Sequence, residues 1–173
     1  MAAPATALDL LDRACAAHPQ GCALDIPQHS QTTYAELDAM ADAVARRVAP
    51  LAARDAVIAL ALPRTDRWLF ASMLGVMRAG AAYVAIDPTF PARQAAAILQ
   101  DAGAVALIAE PARAQAIAAQ AADAAHPRPL HIDPAEFAAP EALMAFDGLR
   151  SPAGEPAPRR AAADALAYVI YTS

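Results

Sequence analysis

The chain has 173 residues, a one-domain length, but 53 of them are alanine and only 35 are Leu, Ile, Val or Phe, so its 58% apolar content overstates the material available for a core. All 13 basic residues are arginine, which excludes a lysine nucleophile, Schiff base or general base from the chain and removes the ammonium many phosphate-handling enzymes aim at their substrate. A net charge of −5 without a basic stripe argues against nucleic acid or an anionic membrane surface as partner, and no apolar run reaches the roughly 18 residues a bilayer span requires.

The N-terminus has no basic segment ahead of an apolar stretch, so no export signal is read and a cytoplasmic location is expected. Residues 6–17 are predicted as a helix with Thr6 or Asp9 as its N-cap. Cys15 and Cys22 fit neither a disulfide framework nor a C-x-x-C site, and they are read as reduced thiols serving as small apolar residues. Residues 22–26 read as a short strand. Thr33 and Glu36 then stand in capping-box spacing, each able to satisfy a free amide of the other's turn, so a helix should start there. Tyr34, Leu37, Ala41, Val44, Val48 and Leu51 recur every three or four residues on one face of it. Asp42 and Arg46 form an i, i+4 ion pair on the remainder.

The continuously apolar run 56–62 reads as a strand buried on both faces. Thr65 is predicted to cap the next helix, 66–79, which is apolar on nearly every side and so belongs between layers. Gly80 supplies its left-handed end, with Arg78 placed favourably for the helix dipole. Residues 81–86 form another strand, 91–102 a helix ended by Gly103, 104–109 a strand, and 111–125 an alanine-rich helix with Ile117 as its one large apolar residue. Residues 130–132 give a short strand, and the proline-rich stretch 134–163 a surface connection with at most a turn or two of helix near 141–146. The run 166–173 forms a last apolar strand. The four histidines lack the i, i+4 helical pairing that metal binding favours, so no metal site is assigned. Strands alternating with helices imply an α/β fold, a mainly parallel sheet flanked by helices on both faces, with ligands bound beyond the strands' carboxyl ends.

Three stretches, in order, resemble the core motifs of amino-acid adenylation domains. Thr32-Thr33-Tyr34-Ala35-Glu36-Leu37 resembles the first, Leu-Thr-Tyr-x-Glu-Leu. Met77 to Pro88, continued by Phe90-Pro91, resembles the second, Leu-Lys-Ala-Gly-x-Ala-Tyr-Val-Pro-Ile-Asp-Pro. Leu166 to Ser173 resembles the opening of the third, whose family form continues Gly-Ser-Thr-Gly-x-Pro-Lys-Gly. The chain departs from the pattern at Arg78 and Ala85, where the family has lysine and proline, and at Ala52-Ala53-Arg54-Asp55, where it has a Pro-Gly-Asp turn.

The resemblance covers the chain from about Leu8 onward. It implies an incomplete N-terminal part of the adenylate-forming enzyme fold, residues 1–173, ending at the start of the phosphate-binding loop. By the same resemblance the reaction uses ATP and Mg²⁺ to activate an amino acid or other carboxylic acid as acyl-AMP, which passes to the phosphopantetheine thiol of a carrier protein. Thr172 and Ser173 are the nucleotide-binding candidates; no catalytic residue is assigned, because the family's catalytic lysine lies far beyond this segment. The chain alone is therefore expected to be inactive. The alternatives are a noncatalytic interaction module or one half of a split enzyme, the N-terminal part of an acyl-CoA ligase, and a distinct small nucleotide-binding α/β protein. Tyr34, Tyr83 and Trp68 are assigned to packing.

Overall fold

The computed structural model describes residues 6–27, 30–53, 55–120, 130–133, 135 and 165–171. Helix α1 (Ala7–Ala17) is capped by Thr6, whose hydroxyl accepts from the Asp9 amide while the Asp9 carboxylate takes the Thr6 amide. Of the two predicted caps, Thr6 fills the role and Asp9 completes its box. Strands β1 (Cys22–Ile26) and β2 (Ser30–Thr33) pair antiparallel as a small separate sheet.

Helix α2 (Tyr34–Val48) starts at the predicted capping box. The Thr33 hydroxyl accepts from the Glu36 amide at 3.2 Å, and Glu36 Oε2 accepts from the Thr33 amide at 2.8 Å. The Thr33 amide, and after it the Thr33 hydroxyl, which also donates to Glu36 Oε2 at 3.0 Å, hold the Glu36 carboxyl below its ordinary value. The reciprocal cap is therefore intact above the ordinary carboxylate range and is lost as pH falls through the lowered value. Thr33→Ala is expected to cost about 1 kcal/mol in urea unfolding at neutral pH. The difference from wild type should shrink in acid; equal stabilities at neutral pH would contradict the cap.

The larger sheet has the order β6–β5–β3–β4–β7, with every pairing parallel. Its strands are β3 (Val57–Ala61), β4 (Ala82–Ala85), β5 (Ala104–Ala109), β6 (Leu130–Ile132) and β7 (Tyr168–Val169). β3 lies at the centre and all five of its residues are buried, as a strand covered on both faces must be. Ile58 and Leu60 face α2 and α3 (Arg67–Ala79), where they join Val44, Val48, Leu69 and Val76. Val57, Ala59 and Ala61 face α4 (Ala92–Asp101) and α5 (Pro111–Ala118), with Ala95, Ile98, Leu99 and Ile117. The alternation along β3 thus feeds two cores, one on each side of the sheet.

The central helix α3 is wedged between layers as its composition requires: its residues also join a third cluster with Leu11 of α1 and Leu37 and Met40 of α2. On α2 the buried face includes Met40 and Ala45 besides the predicted Leu37, Ala41, Val44 and Val48. Gly80 adopts φ 88°, closing α3 as expected. Asp55 adopts φ 59° in the turn before β3; an aspartate tolerates this left-handed geometry better than most residues.

Four expectations need correction or narrowing. Thr65 does not cap α3; Asp66 does, its Oδ1 accepting from the Trp68 amide at 2.9 Å. Both side chains carry a suitable oxygen one residue apart, and the backbone conformation selects the second. Helix α5 ends at Ala118, followed by a turn at 119–120, where the sequence offers no large apolar side chain after Ile117 to hold it on the sheet; 121–125 lie outside the described residues. Among the described residues the last strand has two ladder residues, Tyr168 and Val169, where 166–173 was expected to form it; Tyr168 and Ile170 are 51% and 68% exposed, and the strand lies at an edge of the sheet. Ala85, within a strand expected to be buried, is exposed. The predicted connection, apart from Ala135, and its helical turn near 141–146 lie outside the described residues.

Candidate functional site

In a parallel sheet of this kind, connections leaving toward opposite faces open a crevice at the strands' carboxyl ends. The chain leaving β3 turns into α3 on one face, and the chains leaving β4 and β5 turn into α4 and α5 on the other. The loop after β4 is built by Asp87, whose Oδ1 accepts from the Thr89 hydroxyl at 2.6 Å and the Thr89 amide at 2.8 Å. The same two bonds, the hydroxyl first, hold the Asp87 carboxyl below its ordinary value, aided by the positive charge of Arg64 and Arg113. Arg113, in the first turn of α5, donates through Nη2 to the Phe90 carbonyl at 2.7 Å and so ties that loop to α5. His131 Nε2 lies 2.8 Å from the Ala109 carbonyl, joining the ends of β5 and β6.

β7 brings the third motif beside the second. Tyr83 and Tyr168 are partners in the β4–β7 ladder and their rings stack at 5.8 Å. Past the ladder, the Tyr171 hydroxyl donates to Asp101 Oδ2 on α4 at 2.6 Å. This bond, then partial burial and the Asp101 charge, pushes the phenol up to about 12. The predicted nucleotide ligands Thr172 and Ser173 follow directly and lie outside the described residues. Tyr34, Tyr83 and Trp68 all pack against apolar clusters.

Two features had no local signal in the sequence. Arg78 is 4% exposed and is bound by two carboxylates of α2: Nη2 donates to Asp38 Oδ1 at 2.6 Å and Nη1 to Asp42 Oδ1, with a further bond from Nη1 to the Asp38 carbonyl at 3.3 Å. Burial works against its charge, but the two carboxylates outweigh burial and hold Arg78 above its ordinary value. The predicted Asp42–Arg46 pair is present at 3.7 Å as a minor contact beside it. The Tyr171–Asp101 bond is the second such feature. Cys15 donates weakly to the Tyr34 carbonyl, and burial followed by the Asp38 charge pushes its thiol up, so it stays protonated at neutral pH.

Among the described residues no three His, Cys, Asp or Glu side chains stand close enough to share a metal ion. No helix among them is long and apolar enough to cross a membrane.

A five-stranded parallel sheet with helices on both faces, ending in a strand laid against the second motif, is the framework found in the N-terminal domains of adenylate-forming enzymes. The chain belongs to the AMP-binding enzyme family, whose sequence profile matches residues 11–173. It is 37% identical over 120 residues to surfactin synthase subunit 1 of Bacillus subtilis, covering 69% of this chain and 3% of that protein. It is also 37% identical over 91 residues to phosphinothricin tripeptide synthetase PhsB of Streptomyces viridochromogenes, covering 52% of this chain and 8% of that one. The fold matches the N-terminal domain of FACL13 from Mycobacterium tuberculosis with a TM-score of 0.75 at 24% identity, over 95% of this chain and 40% of that one. It matches the nonribosomal peptide synthetase FmoA3 with a TM-score of 0.74 at 20% identity, over the whole chain and 17% of that protein. The chain thus spans less than half the length of each of these relatives.

Proposed function

We propose that residues 1–173 form the N-terminal part of an enzyme that activates an amino acid or related carboxylate as acyl-AMP for transfer to the phosphopantetheine thiol of a carrier protein. The observation that carries this reading is the pairing of β4 with β7, which sets the second and third adenylation motifs side by side on the sheet. The sequence kinship to peptide synthetases supports an amino acid over a fatty acid as substrate.

In this reaction a carboxylate oxygen attacks the α-phosphorus of ATP, the bond to the bridging oxygen breaks, and pyrophosphate leaves with the electron pair. The hydroxyls of Thr172 and Ser173 would donate to oxygens of the β- and γ-phosphates, as the resemblance implies, leaving the α-phosphorus open to attack. Charge developing there needs a cation held in place beforehand. With no lysine in its sequence, the chain relies on the remainder of such an enzyme for the family's ammonium.

The test is amino-acid-dependent ATP–pyrophosphate exchange. The full polypeptide carrying this segment should exchange, Thr172→Ala should weaken it, and purified residues 1–173 should not turn over. Exchange by 1–173 alone would refute the division of labour; no exchange by the full polypeptide with any amino acid would refute the activity. The exposed apolar edge at Leu166, Tyr168 and Ile170 favours a second reading, one half of a split enzyme whose sheet is completed by another polypeptide. Exchange restored by mixing 1–173 with a separate chain beginning Gly-Ser-Thr-Gly would establish it.

A further inference from the structure

We draw no further inference here: the strongest candidate, the side-chain cluster of Arg64, Asp87 and Arg113 at the carboxyl ends of β3, β4 and β5, belongs to the site already described, where Asp87 accepts from Thr89 and Arg113 donates to the Phe90 carbonyl.

Discussion

Gly75→Ala should destabilise the protein by about 3 kcal/mol, lowering its thermal midpoint by roughly 6–12 °C. Helices α2 and α3 approach so closely at this point that an added Cβ would stand 2.6 Å from the Ala41 carbonyl oxygen and 2.6 Å from Val44 Cβ. Neither obstacle can swing aside, since one is backbone and the other is the first side-chain carbon of a fully buried residue. Relief requires the helices to separate, which also loosens the core they share over Ile58 and Leu60. Gly103→Ala is the control. Its φ of +60° carries strain but nothing lies within 4 Å, so about 1 kcal/mol is expected. Urea unfolding of both variants decides the matter: a Gly75→Ala protein no weaker than the Gly103→Ala protein would show that the helices are not in this contact.

Asp42→Ala is expected to cost about 3 kcal/mol, because it leaves the buried Arg78 guanidinium with Asp38 as its remaining carboxylate partner. The side chains of Asp38 and Asp42 are 39% and 15% exposed against 5% for Arg78, so the cation is the group least able to recover water. Arg78→Met should therefore cost less than Asp42→Ala, since both carboxylates can turn outward and the thioether fills the space. The double variant Asp42→Leu/Arg78→Met should regain much of the loss. By contrast Arg46→Ala, which removes a half-exposed i, i+4 partner, should change stability by less than about 0.5 kcal/mol. Equal effects from Arg46→Ala and Asp42→Ala would contradict the buried network.

What could be read from sequence and what could not follow from the range of the forces involved. The capping box at Thr33, the left-handed Gly80 and the apolar runs of β3 and β5 are settled within a few residues of chain, and each forms where its pattern indicates. The cap of α3 fell at Asp66, one residue past the expected Thr65, because it turned on a backbone angle that composition does not encode. The shortening of the last strand reflects sparse neighbours rather than poor propensity: among the described residues Val169 packs against the second core, while Leu166, Tyr168 and Ile170 stay exposed. Arg78 reads as an ordinary helix-end cation until α3 is laid across α2 and Asp38 and Asp42, one turn apart, converge on it. Tyr171 and Asp101 are 70 residues apart and carry no pattern linking them. For the site itself, the motifs gave the family and the order of its parts, while the hydrogen bond from Tyr171 to Asp101 required the three-dimensional arrangement.

The two-residue pairing of β7 has a consequence for kinetics. Amide protons along β3, ladder-bonded on both sides and sealed by two cores, should exchange with deuterium only when the whole sheet opens, whereas those of Tyr168 and Val169 should exchange through local fraying.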